Sequence, residues 1–556
     1  MLVRQNLIVA CFLSSIAYGR NITYNVISSV DDQHAVGVTV DDVTFQLHPS
    51  SECPILFTGE APEATKGYTY IKLKDNQVVE KESFLRQISI DNTPNEFYNR
   101  SWNTMTIPKL PNVLSPLPAI DRIQTELHID GQIPTLYFVG NQTEIDLMHK
   151  NSTGDNTVLT SMTYITTNKI EKLNDVKIKL SGRSSRFAKK LSYNIKTKNK
   201  RGLYGYRRLK LRSLLTDPSY LREQVIYDIL QSSGVATTGF SYVRVFFNNR
   251  PMGLFGLIEN YKNPWLKNEF SGGKKMDQGI LYQGMSGSTP GYRSDLGYLG
   301  DNETAYAASA YHIKEAPKKG PADFTRLMEF TRFLAQAPVE GEDAIKAWKE
   351  RVNTDSVIRN MALEILLGFS DGYITDVDNF YVYSPKDKRV IYLPSDVDFG
   401  LGSTLVNLSE MWTGNYQQYP GFSMTRPLLN FIKVPEFKTQ FEQLLVKLSQ
   451  ELIHPNVVYP HIDALANMIR EDVAWDKTLP RANGAPLLPG QPGFPTPNAS
   501  IILPPMHADM LISAYTRSNI SFETAVNGSD ITNCLIGVKE WFKHQTDATL
   551  AYFNAT

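Results

Sequence analysis

The sequence predicts an α+β protein with more than one structural unit. Its 556 residues exceed the ~250–300 residues at which a single hydrophobic core stops growing. Apolar residues make up 42% of the chain and charged residues 21%, as in folded globular proteins. Patterns typical of short strands dominate the first part, and strands mix with long helical patterns after about residue 166.

The net charge excludes one class of partner. The formal charge is zero, because 57 Lys and Arg residues balance 57 Asp and Glu residues. A neutral chain has no overall field that would attract a polyanion. We therefore expect no nucleic-acid partner.

The first residues are typical of a secretory signal peptide. Arg4 precedes an apolar run from Leu7 to Ile16, and small residues follow it. The run is shorter than the ~20 residues of a membrane-spanning helix, so we assign residues 1–19 to a signal peptide. Ten Asn-x-Ser/Thr patterns agree with secretion and predict a glycoprotein. We expect no transmembrane anchor in this form of the chain.

The cysteines favour one disulfide. Cys11 lies in the signal peptide, which leaves Cys53 and Cys534. In an oxidising compartment a bond between these two is the simple expectation. The alternative is two separate buried thiols.

Residues 20–165 predict an N-terminal β-sandwich-like domain. Apolar and polar residues alternate between turn-rich spacers in ITYNVISSV, HAVGVTVDDVTFQLH, GYTYIKLKD, TLYFVG and SMTYITT. Such a series of short strands is typical of an all-β sandwich. A carbohydrate-binding role for this domain would rest on the fold type alone.

Residues 166–262 predict five strands and one helix. Three strand patterns, VKIKLSG, LSYNIKTK and YRRLKLRSL, precede a helix in DPSYLREQVIYDILQSSG, and FSYVRVFFNN and PMGLFGLIENY follow it. We expect Asp217 to cap the helix, Pro218 to lie in its first turn and Gly234 to end it. Five strands with a helix after the third is the order of the small lobe of a protein kinase.

The remaining residues predict a surface insertion and a helical lobe. Residues 263–320 are rich in Gly, Ser, Lys and Tyr without clear periodicity, which predicts a long surface insertion. Residues 321–556 are mostly helical and contain one strand pair, FYVYS and RVIYLPS. Together with the five strands, this large lobe predicts an atypical bilobal protein-kinase-like domain.

Two segments supply groups that phosphoryl transfer needs. Lys210 lies in a strand directly before the helix that carries Glu223. In kinases this arrangement allows the lysine to pair with the glutamate and to contact a phosphate at the same time. In SDGYITDVDNFYVY, Asp371 is placed to orient the attacking hydroxyl, and Asn379 is a candidate metal ligand. We assign Lys210, Glu223 and Asp371 to the catalytic set.

A second acidic cluster follows the strand pair. YLPSDVDFGLG contains Asp396, and Asp398 opens an Asp-Phe-Gly triplet like the metal-binding triplet of kinases. With Asn379, these residues form a candidate site for Mg²⁺ or Mn²⁺, which prefer oxygen ligands. Asp376 and Asp378 are loop acids whose roles the sequence does not separate from that of Asp371.

Further motifs resemble the CotH family of spore-coat proteins. The family pattern Gly-x-Ser-(Ser/Thr)-Arg, Lys-Lys and Tyr-x-Ile-Lys is similar to residues 182–186, 189–190 and 193–196. LKLRSLLTDPSYLREQ and GLFGLIENY are also similar, and the resemblance covers roughly residues 170–450. It implies an atypical kinase fold that uses ATP with Mg²⁺ or Mn²⁺ and phosphorylates coat proteins.

The resemblance also implies a set of nucleotide-binding residues. The segment SGRSSRFAKK has one glycine, so four basic residues would replace backbone amides as phosphate donors: Arg183, Arg186, Lys189 and Lys190. Lys196 and Glu259 lie in the similar motifs and complete the predicted cofactor-binding set. The alternative for the basic residues is an ordinary basic strand edge.

The leading hypothesis is a secreted kinase of the CotH type that phosphorylates Ser or Thr of coat or secreted proteins. Asp371 and Asn379 are eight residues apart, whereas ordinary kinases separate the equivalent pair by five, which keeps a pseudokinase open. The layout resembles the mucoralean fungal branch, whose members are displayed on spores and include invasins. The alternative is therefore a spore or cell-surface adhesin on a pseudokinase scaffold. It would present the insertion, residues 268–320, to a host receptor, and residues 284–302 within it align with the invasin motif.

Overall fold

The computed structural model describes residues 20–286, 294–387, 389–483, 508–529 and 531–555. The chain divides into two compact units. The first comprises Met1–Asn103 and Ile165–Ile170, and the second comprises Thr104–Tyr164 and Glu171–Thr556. Strands form the first unit, whereas strands and helices form the second, so the α+β class is confirmed. The predicted signal peptide lies outside the described residues.

Seven strands form one sheet in the first unit. They are β1 (Asn21–Ile27), β2 (His34–Val40), β3 (Val43–Pro49), β4 (Leu56–Pro62), β5 (Tyr68–Lys74), β6 (Gln77–Lys81) and β7 (Glu96–Phe97). Their order in the sheet is β6-β5-β2-β3-β4-β1-β7. Strand β3 pairs with β2 along most of its length and with β4 at His48 and Pro49, so it links two groups of strands. The two-layer packing of a sandwich stays a prediction.

The second unit contains a closed barrel of seven strands. They are β8 (Thr135–Gly140), β9 (Thr157–Ile165), β10 (Ile170–Ser181), β11 (Ser192–Thr197), β12 (Arg208–Arg212), β13 (Phe240–Phe247) and β14 (Arg250–Glu259). The order around the barrel is β10-β11-β12-β14-β13-β8-β9. The assignment of all residues from 20 to 165 to the first domain is wrong, because β8 and β9 close this barrel. Their buried Leu136, Phe138, Val158 and Met162 pack in its core.

Two helices belong to the barrel region, α1 (Gln142–Lys150) and α2 (Arg222–Ser232). The predicted order of three strands, one helix and two strands is confirmed by β10, β11, β12, α2, β13 and β14. The predicted start of α2 is wrong by about one turn. The carboxylate of Asp217 accepts hydrogen bonds from the backbone amides of Ser219 and Arg222, each at 2.9 Å, and so holds the turn before the helix. Gly234 follows the helix with φ of +64°, as a helix-ending glycine does.

The segment 263–320 contains regular secondary structure, which the predicted surface insertion does not contain. It contains α3 (Trp265–Phe270), β15 (Ile280–Gly284), α4 (Glu303–Ala307) and β16 (Tyr311–Glu315). With β17 (Phe380–Ser384) and β18 (Ile391–Pro394), these strands form an antiparallel sheet in the order β16-β15-β17-β18. Leu281, Tyr282 and Leu296 are buried. The insertion prediction failed because short buried strands between glycine-rich turns leave little periodicity to detect.

The described residues after 320 are mostly helical, as predicted. Their helices are α5 (Thr325–Gln336), α6 (Glu342–Arg351), α7 (Thr354–Leu367), α8 (Tyr373–Asp376), α9 (Leu408–Met411), α10 (Pro435–Glu451), α11 (Pro455–Thr478), α12 (Ala508–Thr516), α13 (Phe522–Asn527) and α14 (Val538–Tyr552). Helix α7 is buried along most of its length and ends at Gly368, whose φ is +67°. Among the described helices, none combines the length and apolarity needed to cross a membrane.

Cys534 corrects the disulfide prediction. It is a buried free thiol in the structure, so the expected bond to Cys53 is not present. Arg517 Nη2 lies 3.4 Å from its Sγ, and Ser513 Oγ lies 3.8 Å from it. Polar contacts within the helical region therefore satisfy this sulfur.

Candidate functional site

Strand β12 carries two cations to one cluster of carboxylates. Leu209 and Leu211 point into the barrel core, so the alternating Lys210 and Arg212 point out of it. Arg212 donates to Glu223 Oε2 at 3.0 Å, and its other nitrogens lie 2.5 Å from Asp396 Oδ1 and 3.1 Å from Asp398 Oδ1. One guanidinium thus joins a helix glutamate to both acids of the second cluster.

The structure corrects the predicted partner of Glu223. Lys210 Nζ lies 3.4 Å from Asp396 Oδ2, and it is Arg212 that binds Glu223. Sequence reasoning missed Arg212, although it is two residues from Lys210 and hence on the same face of the strand. A planar guanidinium can bridge several carboxylates in a way that a single ammonium cannot.

The charges in this cluster shift one another's pKa values. Burial raises the pKa of Glu223 to about 7, although Arg212 opposes the shift. Burial also acts against ionisation of Asp396, but Arg212 and Lys210 outweigh it and hold the pKa of Asp396 well below its usual range. The pKa of Asp398 is raised, first by burial and then by the neighbouring Asp396. One acid of the second cluster is therefore firmly ionised and the other less readily so.

The loop between α7 and β17 brings Asp371 and Asn379 together. Asn379 Nδ2 donates to Asp371 Oδ2 at 2.8 Å and to the Asp371 carbonyl at 3.2 Å. The intervening residues form the single turn of α8, and Asn379 adopts a left-handed φ of +56°. The additional residues thus bulge into a helical turn without separating the predicted base from the predicted ligand.

Negative charge is concentrated around Asp371. Burial raises the pKa of Asp371 well above its usual range, and Asp398, Asp378 and Asp396 add to the effect in that order. Burial, followed by Asp378, raises the pKa of Asp376 to about 8. Like charges affect each other in this way only when they lie close together. The two predicted acidic segments therefore form one electrostatic site.

Arg183 connects the predicted phosphate loop to this site. Its Nη2 donates to Asp378 Oδ2 at 2.6 Å, and its Nη1 donates to the Ser286 carbonyl at 3.3 Å. The Ser286 hydroxyl also donates to Asp378, at 2.8 Å. Asp378 is therefore occupied by Arg183 and Ser286, whereas Asp371 remains beside Asn379.

Two other predicted phosphate donors are engaged elsewhere. Lys190 is buried, and its Nζ donates to Asp476 Oδ1 at 2.7 Å and to the Leu254 carbonyl at 2.5 Å. Arg186 donates to the Gly154 carbonyl at 3.1 Å and to Asp155 Oδ1 at 2.9 Å. The structure does not bring these two side chains into contact with the acidic site.

Glu259 and Lys196 also lie apart from the acidic contacts. Glu259 accepts a hydrogen bond from the Gly239 amide at 2.6 Å and another from the Thr238 hydroxyl. Burial opposes its ionisation, but the charge of nearby His128 and these hydrogen bonds lower its pKa to about 2. Lys196 is exposed on β11, where Arg208 is its directly opposite neighbour.

Two residues that sequence reasoning missed hold the α8 loop. Glu364, buried near the end of α7, accepts a hydrogen bond from the Ile374 amide at 2.6 Å. Arg426 donates to the Ile374 carbonyl at 2.8 Å and to the Thr375 carbonyl at 3.0 Å. An acceptor at the amide end of a short helix and a guanidinium at its carbonyl end satisfy backbone groups that have no partner within the helix. A glutamate inside the apolar run ALEILL was the available signal for Glu364.

The predicted metal ligands have suitable chemistry. Asn379, Asp396 and Asp398 offer only oxygen donors, as Mg²⁺ and Mn²⁺ prefer. Burial, followed by the neighbouring carboxylates, raises the pKa of Asp371, and a divalent cation would offset the repulsion among these carboxylates. Within the part of the chain that the structure describes, no three His, Cys, Asp or Glu side chains are grouped so that they could hold a metal ion.

Comparisons with known proteins agree with the motifs. The family model described as CotH kinase protein matches residues 178–479, which is more than half of the chain. Spore coat protein homolog 1 of Rhizopus delemar is 25% identical over 482 residues, covering 85% of this chain and 75% of that protein. Invasin CotH3 of the same fungus is 26% identical over 493 residues, covering 86% and 79%. Inner spore coat protein H of Bacillus subtilis is 23% identical over 305 residues, covering 54% and 78%.

Proposed function

The chain belongs to the CotH kinase protein family, and on that premise we propose that it transfers the γ-phosphoryl group of ATP to Ser or Thr hydroxyls of a coat or secreted protein. The observation that carries the proposal is the contact of Lys210 and Arg212 with Asp396 and Asp398 next to Asp371. Phosphoryl transfer needs cations for phosphate and carboxylates for metal and hydroxyl, all within one cleft.

Each residue has a role in the proposed reaction. The acceptor oxygen forms a bond to the γ-phosphorus as the bond from that phosphorus to the β–γ bridging oxygen breaks, and ADP leaves. Asp371 orients the acceptor hydroxyl and receives its proton. Burial and neighbouring carboxylates raise the pKa of Asp371, which makes its carboxylate a stronger proton acceptor than an exposed aspartate. Lys210, Arg212 and Arg183 bind phosphate oxygens.

Asn379, Asp396 and Asp398 would hold Mg²⁺ or Mn²⁺. Such an ion supplies positive charge that neutralises the phosphates of ATP. Glu223 keeps the guanidinium of Arg212 oriented, because its carboxylate accepts from Arg212 on the helix side. Glu364 and Arg426 fix the loop that carries Asp371.

We also propose a bilobal arrangement of the kinase type. The strands β10–β14 with α2 would act as the small lobe, and the helices from α5 onward with the four-stranded sheet as the large lobe. The ion pairs of β12 with Asp396 and Asp398 connect these two parts and support this assignment.

Transfer of labelled γ-phosphate to a casein-like acceptor, with Mg²⁺ or Mn²⁺, tests the proposal. We expect label with the wild-type protein and a loss of about 10²–10⁴-fold with Asp371→Asn, the size of a general-base contribution. Asp398→Asn should also lose metal-dependent ATP binding. The matched control is Asp355→Asn, an exposed aspartate at the start of α7, which should retain activity. No label from a wild-type protein that binds ATP would contradict the kinase and favour a pseudokinase scaffold.

A second candidate function is adhesion at the spore or cell surface. Three of the relatives carry the name invasin, among them Invasin CotH3, and a surface location would suit both candidates. The predicted receptor segment 284–302 includes residues 287–293, which lie outside the described residues. Its described part is anchored, because the Ser294 hydroxyl donates to the carbonyls of Met285 at 3.0 Å and Val377 at 2.8 Å.

This anchoring determines the adhesion experiment. Residues 287–293 should be replaced by an equally long Gly/Ser sequence, and Ser294 should be kept so that the contact with the α8 loop remains. Adhesion predicts that beads coated with this variant lose attachment to host cells while ATP binding is unchanged. Full attachment of the variant would count against a receptor role for this segment.

A further inference from the structure

The outer face of the barrel carries a concentration of positive charge. We define the basic face as Lys177 and Lys179 on β10, Lys196 on β11, Arg208 on β12, and Lys262 and Lys314 beside them. The alternate residues of the same strands, including Val176, Ile178, Ile195 and Leu209, fill the barrel core, so the cations point outward. Lys177, Lys179 and Lys196 are exposed, and the other three are partly buried. The chain as a whole is neutral, so this charge is local.

Strand register places like charges directly opposite one another. Lys177 pairs with Lys196, and Lys196 pairs with Arg208, so one row of three cations crosses three adjacent strands. Like charges directly opposite in a sheet are destabilising. The repulsion is visible at Lys196, whose pKa is lowered first by Arg208, although the side chain is almost fully exposed. Ordinary solvated strand faces mix both signs of charge, and this row does not.

Nearby carboxylates neutralise only the edges of the face. Asp155 acts on Lys179, and Asp396 and Glu315 act on Lys314. Asp155 lies 2.9 Å from Arg186, and Asp175 lies 3.6 Å from Lys198, so both are paired with cations that are not part of the face. Within the part of the chain that the structure describes, Lys177, Lys196 and Arg208 form no ion pair. Glu315 acts on Lys262, but burial and the charges of Lys314 and Arg208 outweigh it and lower the pKa of Lys262.

The basic face continues into the acidic site. The adjacent row across the same three strands consists of Lys179, Asn194 and Lys210. Its last member, Lys210, contacts Asp396. Lys314 Nζ lies 5.2 Å from the centroid of the Tyr381 ring, and the charge of Asp396 acts on it. An anionic chain lying on the face would therefore lead directly to the residues proposed for phosphoryl transfer.

We propose that the basic face docks an acidic, Asp/Glu-rich segment of the polypeptide acceptor and so delivers a nearby Ser or Thr to the site. This rests on the proposed function, because only a phosphoryl acceptor needs to reach Asp371. Side chains on one side of an extended peptide repeat every ~6.8 Å, which equals the two-residue repeat of Lys177 and Lys179 along β10. Opposite charges across such a surface speed encounter and set the register of the bound chain.

Direct peptide binding tests the docking surface without requiring catalysis. The probes are a fluorescent Glu-rich peptide with one central Ser and a Gln-rich peptide of equal length, measured by anisotropy at low and physiological salt. The variant Lys177→Glu/Lys196→Glu reverses two charges of the face. The matched control, Lys346→Glu/Lys349→Glu, makes the same change in net charge on exposed positions of α6. ATP binding is measured separately for each protein.

We expect the face variant to bind the Glu-rich peptide at least tenfold more weakly, and the control to bind within twofold of wild type. Binding should weaken with salt, because exposed charges interact over ~8 Å at physiological ionic strength. Equal binding by wild type and the face variant, or binding of a sulfated polysaccharide but not of the peptide, would overturn the proposal. If the wild-type protein does not bind ATP, the kinase proposal is wrong, whatever the peptide result.

Discussion

Replacing Glu364 by Gln tests how the buried acid behind the α8 loop affects stability. Burial raises the pKa of Glu364 from 4.5 to about 8 in the folded protein. Between these pH values the folded protein keeps the proton and the unfolded chain has lost it, so each rise in pH favours unfolding. A difference of ~3.5 pKa units corresponds to about 5 kcal/mol of stability lost between pH ~4.5 and ~8. Gln can still accept from the Ile374 amide but cannot ionise, so Glu364→Gln removes this loss.

Urea unfolding at a series of pH values from ~5 to ~8 measures the effect. The helices of the described residues lie in the second unit, so helical circular dichroism reports on the unit that contains Glu364. Subtracting wild type from variant at each pH cancels the titration of other groups. As the pH rises, the free energy of unfolding of Glu364→Gln should increase by several kcal/mol relative to wild type. The control Glu350→Gln, on the exposed side of α6, should show no such increase. A difference for Glu364→Gln that stays constant across the series would refute the reasoning.

Three other predictions follow from the contacts. Lys190→Met removes one of the two cations that pair with Asp476 and leaves Arg481 at 3.2 Å. It should cost about 1–3 kcal/mol of stability, while ATP affinity measured below the unfolding transition stays within twofold. Lower affinity with unchanged stability would contradict the structural role. Unfolding without reductant should expose Cys534 to alkylation, which peptide mapping detects, and recovery of Cys534 in a disulfide would contradict its free state. Mn²⁺ and a non-hydrolysable ATP analogue should each strengthen the binding of the other by about 1–3 kcal/mol. The reason is that Mn²⁺ competes with Lys210 and Arg212 for the carboxylates, and the phosphates offer these two cations new partners. Calorimetry that shows independent binding of the two ligands would argue against this competition.

Alternation of side chains predicted strands well but not their partners. The segments TLYFVG and SMTYITT were correctly identified as strands, yet they were assigned to the wrong unit. Alternation shows that one face of a strand is buried, and it does not show against which sheet. The pairing of β8 with β13 is parallel and joins residues that are more than 100 positions apart in the chain, such as Thr135 and Arg244. Contacts over such separations depend on the whole fold and leave no local pattern.

The candidate site was predictable where chemistry restricts the residue type. Asp371, Asn379, Asp396 and Asp398 stand in local segments whose composition suits metal and hydroxyl groups, and the structure brings the two segments together. Lys190 could not be judged in this way, because its partner Asp476 lies 286 residues away. A basic residue in a motif looks the same whether its ammonium faces a ligand or a buried aspartate. Burial separates the two cases, and only the folded chain supplies it.

The contacts of Asp396 and Asp398 explain why metal and nucleotide should act together. Asp396 has Arg212 on one oxygen and Lys210 on the other, and Asp398 has Arg212 on one and the Thr216 hydroxyl on the other. All four oxygens are therefore already engaged. A divalent ion alone must displace Lys210 from its carboxylate and leave Arg212 with Glu223 alone, and both cations are buried or partly buried. In the proposed kinase, ATP would remove that penalty because its phosphates can receive the same two cations. We therefore expect the metal and the nucleotide to bind together more readily than either ligand alone.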